Sequence, residues 1–254
     1  MMLGGAFVDK VNILGVKVSK HTIDSASDAV VEYVHRGEKR KCVYTPNSEI
    51  IMVAYRDPDF AEVLNKADLL LADGIGVVYA SKILGNPIPS RAAGFDTARA
   101  GLSKLSDKGG ATLYLFGSAP GVADMAKDKI CELYPGINVV GTANGYFDAE
   151  REKEIIEEIN SLKPDLLFVC LGAPKQEKWL HAHIDELDVG VAFGLGGSLD
   201  VFAGTVKRAP EFFQKHGIEW LYRLMKQPKR AIRMLDLPRF AIKVILKGRK
   251  FPQE

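Results

Sequence analysis

Leu166-Leu-Phe-Val-Cys-Leu-Gly-Ala-Pro-Lys-Gln-Glu177 decides the fold. Its first six residues are apolar at every position, the pattern of a short strand covered on both faces. Gly172 ends the run, and Pro174 suits the opening of a helix. Lys175, Gln176 and Glu177 then fall on its first turn. A buried strand that runs straight into a helix is the repeating unit of a parallel sheet flanked by helices.

The unit recurs in both directions along the chain. Apolar runs at 11–18, 42–44, 69–72, 112–116, 138–141 and 189–193 read as further strands. Stretches with helical spacing fill 22–35, 49–55, 76–84, 95–106, 122–134, 149–161 and 175–185, with Asp148 as one opening residue. The expected fold class is α/β: a Rossmann-like, mostly parallel sheet with helices on both faces. Strand-like runs largely stop near 204–210, so we divide the chain into an α/β domain over 1–206 and a basic helical appendage over 207–254.

The 254 residues are 47% hydrophobic and 26% charged, which argues against disorder. The net charge of +2 hides an asymmetry. Residues 207–254 carry 13 Lys/Arg against 4 Asp/Glu, whereas the rest carry 21 against 28. A basic tail on an acidic body suits a polyanionic surface, either nucleic acid or anionic lipid. Cys42, Cys131 and Cys170 are odd in number and have apolar neighbours, so buried reduced thiols are expected. No apolar run reaches the roughly 18–20 residues of a spanning helix, and the N-terminus lacks a signal pattern. The expectation is a cytoplasmic protein, at most peripheral to a membrane.

Ligands of such sheets bind at the carboxyl ends of the strands, so the residues there matter most. Phe116-Gly-Ser-Ala-Pro-Gly121 offers Gly117 and Ser118 as a diphosphate cradle before a helix, as against a plain turn. Gly172, Lys175 and Gln176 follow the deciding strand; the bland reading there is a cap with solvated charges. Phe193-Gly-Leu-Gly-Gly-Ser-Leu-Asp200 contributes Gly196, Gly197 and Asp200. Asn144-Gly-Tyr-Phe147 presents the amide of Asn144 and the ring of Tyr146 to a base or sugar. None of these completes GxGxxG, so a dinucleotide fold loses ground.

Thr45 and Asn47, in Tyr44-Thr-Pro-Asn-Ser48, suit sugar hydroxyls or else cap a helix. Asp73 emerges from its strand as a carboxylate for chemistry or as an N-cap, and the loop residue Arg91 is a phosphate partner. Asp57-Pro-Asp59 has the DxD form of a metal–diphosphate ligand, but an aspartate followed by proline also opens a helix, which is the reading we adopt. His181 and His183, two apart on one helix, point to different faces. No metal and no cofactor are implied.

Thr45-Pro-Asn47, Ala72-Asp-Gly74, Phe116-Gly-Ser118, Gly172-Ala-Pro-Lys-Gln-Glu177 and Gly196-Gly-Ser-Leu-Asp200 together resemble the WecG/TagA/CpsF glycosyltransferases. Gly204-Thr-Val-Lys-Arg-Ala-Pro210 and Glu219-Trp-Leu-Tyr-Arg223 extend the resemblance over nearly the whole chain. It is strongest to the TagA-type members, which transfer N-acetylmannosamine from UDP to C4 of N-acetylglucosamine on undecaprenyl diphosphate in wall teichoic acid synthesis. WecG-type members use a mannosaminuronic acid donor. The resemblance implies metal-independent, inverting transfer with Asp73 as base. Its partners would be a UDP-sugar, a lipid-linked N-acetylglucosamine acceptor and an anionic membrane; self-association into a homo-oligomer is compatible with it.

In the tail, Leu221, Leu224, Met225, Ile232 and Leu235 accompany Arg223, Lys226, Arg230 and Arg233, with Pro228 interrupting the helical spacing. Residues 240–246 add an apolar stretch beside Arg239 and the basic 247–250. Such a segment suits a membrane interface, or a helix packed on the body with a solvated basic face. Arg223, Arg230 and Arg233 join Arg91 as candidates to bind substrate phosphate. The competing readings are an NAD-type nucleotide enzyme and a nucleic-acid-binding module; the latter lacks a recognition motif or interleaved aromatics.

Overall fold

A computed structural model describes residues 9–210, 212–213, 219–226 and 234–253, without the side chains of Arg223 and Lys226. The chain opens with β1 (Lys10–Ile13) and β2 (Val16–Ser19), paired antiparallel. The single strand expected over 11–18 is therefore a hairpin. Leu14 and Gly15 take φ of 55° and 97°, a two-residue turn whose twist matches the flanking strands. Asn12 Oδ1 accepts from the Gly15 N–H at 2.9 Å and holds the turn.

Then follow α1 (Ile23–His35), β3 (Lys41–Tyr44), α2 (Ser48–Arg56), α3 (Pro58–Asn65), β4 (Leu69–Leu70), α4 (Ile75–Ile83) and α5 (Gly94–Asp107). The second half adds β5 (Ala111–Gly117), α6 (Val122–Leu133), β6 (Ile137–Ala143), α7 (Ala149–Leu162), β7 (Leu166–Cys170), α8 (Lys175–His183), β8 (Val191–Gly194) and α9 (Ser198–Phe202). Beyond it lie α10 (Glu219–Lys226) and α11 (Asp236–Lys247). Several openings follow side-chain chemistry: Thr22, Asn47, Asp57 and Asp148 each accept a backbone N–H at a helix start.

Strands β3 to β8 form one parallel sheet in the order β4-β3-β8-β7-β5-β6. Inner β7 is buried at all five positions, whereas edge strand β6 alternates buried and accessible residues. Ser19 at the end of β2 accepts from the Leu70 N–H at 3.2 Å, so the hairpin covers the β4 edge. The apolar sides of α1, α5, α6 and α9 fill one face, and those of α2, α3, α4, α7, α8 and α11 fill the other. From β3 the chain steps outward to β4; from β5 it steps outward to β6, and β7 and β8 fill the middle. In a sheet whose order reverses in this way, ligands bind in the crevice outside the carboxyl ends of the strands.

The end of the chain returns to the body. Phe240 and Val244 of α11 join the core, each contributing about 1.5–3 kcal/mol of apolar burial. Arg56 on α2 donates to both oxygens of Asp236 at 2.8 and 2.7 Å. Gln253 exchanges hydrogen bonds with the Asn12 backbone. The outward side of α11 leaves Ile242, Ile245 and Leu246 exposed. Among the described residues, no helix is long and apolar enough to cross a membrane.

Candidate active site

Where β5, β6 and β7 end, a cleft of about 700 Å³ opens, lined among others by Ser118, Gly145, Tyr146, Leu171, Lys175 and Asp200. Gly117 is set by packing. A Cβ there would lie 2.3 Å from the Cys170 carbonyl oxygen, so only glycine lets β5 leave the sheet this close to β7. Ser118 follows with φ 58° and donates its hydroxyl to Asp200 at 2.9 Å, which ties the β5 end to α9. Asn144 Oδ1 accepts from the Tyr146 N–H at 2.9 Å, a side-chain turn that leaves the Tyr146 ring 75% exposed at the cleft mouth. Lys175 Nζ lies 4.4 Å from the centre of the Phe147 ring and donates to the Gly145 carbonyl at 3.3 Å. Around Gly172, Gly196 and Gly197 an added Cβ would meet nothing within 4 Å, so a ligand has room to approach that backbone.

The second group gathers at the ends of β3 and β4. The Asp73 N–H donates to the Pro46 carbonyl at 3.2 Å, and the Ala92 N–H to that of Ala72 at 2.9 Å. These bonds bring the loops holding Thr45, Asn47, Asp73 and Arg91 together. A Cβ on Gly94 would sit 2.9 Å from Thr45 Oγ1, so α5 starts directly against Thr45. Asn47 caps α2 by accepting from the Ile50 N–H at 3.0 Å, so its carbonyl oxygen serves the backbone. Asp73 stands directly before α4, whose N-cap position is taken by Gly74. Its carboxylate lies 3.5 Å from Arg91 Nη2. Burial would lower the Arg91 proton affinity, but the carboxylates of Asp73 and Glu219 outweigh it and hold it above its ordinary value.

Gln176 lies between the two groups, and its hydrogen bonds are internal. Oε1 accepts from the Gly172 and Gly196 N–H groups at 3.2 and 2.9 Å, while Nε2 donates to Glu177 at 2.8 Å. At 3% exposure it fastens the loop after β7 to the loop after β8. Glu177 fixes which way the Gln176 amide points, and burial pushes the Glu177 carboxyl above its ordinary value.

Asp57 caps α3 by accepting from the Phe60 N–H at 3.1 Å and pairs with Lys178, as the helix-opening reading of Asp57-Pro-Asp59 expects. Among the described residues, no cluster of three or more His, Cys, Asp or Glu could hold a metal ion. Burial pushes the Cys42 and Cys170 thiols up to about 12. Cys131, expected to be buried, is exposed, because position 131 falls off the α6 face formed by Val122, Ala123, Ala126 and Ile130.

The sequence-derived set thus separates into a cleft group (Ser118, Tyr146, Lys175 and Asp200, with Gly117, Asn144 and Gly172 beside it) and a β3–β4 group (Thr45, Asn47, Asp73 and Arg91). Gly196 and Gly197 follow β8 between them. Arg230 and Arg233 lie outside the described residues, as does the Arg223 side chain. Three residues that sequence reasoning did not single out stand in the second group. Glu219 Oε2 accepts from Arg91 at 2.9 Å, Arg208 pairs in a fork with Asp96 at 2.6 Å, and Glu219 lies 3.7 Å from Arg208. Glu219 and Arg208 lie inside the downstream motifs quoted above; nothing local in those motifs points to Arg91, which is 128 residues from Glu219.

A family model described as "Glycosyl transferase WecG/TagA/CpsF family" matches residues 11–254. A relative from Bacillus spizizenii is 40% identical over 203 residues, 80% of this chain and 78% of its own. One from Bacillus subtilis strain 168 is 36% identical, covering 90% of this chain and 83% of its own. One from Staphylococcus aureus strain MW2 is 34% identical, covering 95% and 94%. Each is named N-acetylglucosaminyldiphosphoundecaprenol N-acetyl-beta-D-mannosaminyltransferase. With the match running through both groups at the sheet edge and on to the last residue, the chain belongs to the WecG/TagA/CpsF family of glycosyltransferases.

Proposed function

We propose that the enzyme moves N-acetylmannosamine from UDP to C4 of the N-acetylglucosamine on undecaprenyl diphosphate, with inversion. The observation that carries the reading is the pairing, on one sheet edge, of an open cleft beyond β5–β7 with Asp73 beyond β4. Three inter-strand spacings, about 14 Å, separate β7 from β4, a span that a nucleoside diphosphate sugar laid across the strand ends can bridge. UDP occupies the cleft, with Tyr146 against the base, Asp200 and Ser118 toward the ribose, and Lys175 and the loop amides toward the diphosphate. Asp73 takes the proton from the acceptor hydroxyl as that oxygen attacks the anomeric carbon. The bond to UDP breaks on the opposite side, and its electron pair leaves with the diphosphate, whose charge the amides and basic side chains stabilise.

Incubation with a panel of UDP-sugars and a lipid-linked N-acetylglucosamine acceptor, followed by product analysis, tests this. A β-linked N-acetylmannosaminyl product is expected. A product formed only from a mannosaminuronic acid donor would move the enzyme to the WecG-type reaction, and no product from any donor would remove the proposal.

Transfer is expected to survive exhaustive EDTA, and Asp57→Ala combined with Asp59→Ala is expected to leave turnover within about twofold. The motivation is the engagement of Asp57 at the start of α3. Loss of activity with chelator, restored by Mg²⁺ or Mn²⁺, would overturn metal-free transfer.

A lipid-linked acceptor supports a peripheral location at the inner face of the membrane. The exposed Ile242, Ile245 and Leu246 of α11, beside Lys243, Lys247, Arg249 and Lys250, support docking on an anionic leaflet.

A further inference from the structure

Gln176 and Glu177, side by side in the first turn of α8, are 3% and 1% exposed. The Gln176 side-chain oxygen accepts from the Gly172 N–H in the loop after β7 and from the Gly196 N–H in the loop after β8. Both glycines take positive φ, 78° and 55°, and have no side chain of their own to hold them there. The Gln176 amide nitrogen donates to Glu177 Oε1 at 2.8 Å. Gly194 leaves the room for it, since a Cβ there would lie 3.1 Å from Gln176 Nε2. The two ends of an amide are alike in shape and differ in the partners they accept. Two N–H groups require the oxygen on one side, and the Glu177 oxygen requires the nitrogen on the other.

A buried carboxyl is a costly way to supply that oxygen. Glu177 Oε2 has no hydrogen-bond partner, and among the described residues no lysine or arginine pairs with Glu177. An apolar side chain of similar volume is cheaper to bury at such a position. The side-chain hydrogen bond that it would forfeit is the one to Gln176.

We propose that Glu177 is a positioning residue for the sugar donor: by orienting the Gln176 amide it holds the loops after β7 and β8 at the separation at which Lys175 and Asp200 receive the nucleotide.

The inference rests on UDP occupying the cleft. Lys175 directly precedes Gln176, and Asp200 stands in the first turn of α9, which the loop after β8 opens. Both side chains line the cleft, so its width there follows the spacing of the two loops. Without the Gln176 fastening the donor would have to order both loops as it binds, and that ordering weakens binding.

The test measures UDP affinity by calorimetry, melting temperature, and KM and kcat on a water-soluble acceptor analogue, all in the full chain. Glu177→Met keeps an unbranched side chain without an acceptor oxygen. Its UDP affinity should fall about tenfold and its KM for the UDP-sugar rise by a similar factor, with kcat within about threefold and melting temperature unchanged or raised. Glu177→Gln retains an oxygen for Gln176 and should bring UDP affinity back to within about threefold of the native chain. Gln176→Met removes the fastening itself and should lose about tenfold. The double variant should bind UDP no more weakly than Gln176→Met, because Glu177 acts through Gln176. Undiminished UDP affinity in Glu177→Met or Gln176→Met would overturn the proposal, as would additive losses in the double variant or failure of Glu177→Gln to restore binding. If Glu177→Met does not fold, the Glu177→Gln and Gln176→Met results decide. A native chain that itself fails to bind UDP would instead remove the nucleotide cleft, which keeps the two failures apart.

Discussion

Asp73→Asn is expected to lower turnover by about 10²–10⁴ while UDP still binds, because the amide cannot accept the acceptor proton and the nucleotide cleft lies three strands away. The substitution is nearly isosteric, and the N-cap position of α4 belongs to Gly74. Melting temperature, measured alongside, separates a loss of chemistry from a loss of stability. The Asp73–Arg91 contact is long at 3.5 Å, and Arg91 retains Glu219 as its nearer partner. Asp73→Ala should be equally inactive. The measurement is kcat on a soluble acceptor analogue, with UDP affinity and thermal stability determined on the same preparations. Retention of activity within threefold would remove Asp73 from the mechanism. Equal loss of UDP binding would instead place Asp73 in the donor site.

Removal of the chain from about residue 217 onward is expected to abolish liposome binding and to reduce turnover of a soluble acceptor. The structure requires a second variant beside it. Truncation also deletes Phe240 and Val244 from the core and the Arg56–Asp236 fork, so a truncated protein loses stability as well as any membrane surface. Ile245→Glu with Leu246→Glu changes only side chains that are 62% and 70% exposed. Binding to anionic vesicles should fall by at least tenfold, since each apolar side chain contributes up to about 1.5–3 kcal/mol when buried in lipid. Melting temperature and turnover on the soluble analogue should be retained. Arg223→Ala, Arg230→Ala and Arg233→Ala divide the remaining roles: an active-site arginine costs turnover on the soluble analogue, whereas an anchoring one costs only salt-sensitive vesicle binding. Each basic residue near the leaflet contributes about 1 kcal/mol, so single anchoring changes should be modest. Undiminished vesicle binding by both the truncated protein and the Ile245/Leu246 variant would end the membrane role.

Much of the architecture follows from patterns a few residues long. The unbroken apolar run 166–170 becomes the fully buried β7, and Asp57 and Asp148 cap the helices they precede. The strand-end rule located the cleft, because in an all-parallel sheet every carboxyl end lies on one edge. Local pattern misread 11–18, where an apolar Leu14 enters a left-handed turn beside Gly15 and one run becomes two strands. It also could not divide the labour among polar residues at the edge. Gln176 and Asp200 both read as ligand contacts, yet Gln176 makes its hydrogen bonds to the protein while Asp200 lines the cleft with Ser118 on one oxygen.

By itself the sequence determined the parallel α/β sheet, the edge on which the cleft opens, and the family. These rest on periodicity, glycine and capping preferences, and ordered motifs, all written in near neighbours. Only the tertiary structure decided that Glu219 meets Arg91 across 128 residues, that Arg208 closes on Asp96, and that α11 packs one side on α2 and exposes the other. The physical reason is that charge pairing and burial depend on distance in space. Loop closure costs free energy that rises only slowly with loop length, so a carboxylate far along the chain pairs as readily as a near one once packing has brought it there.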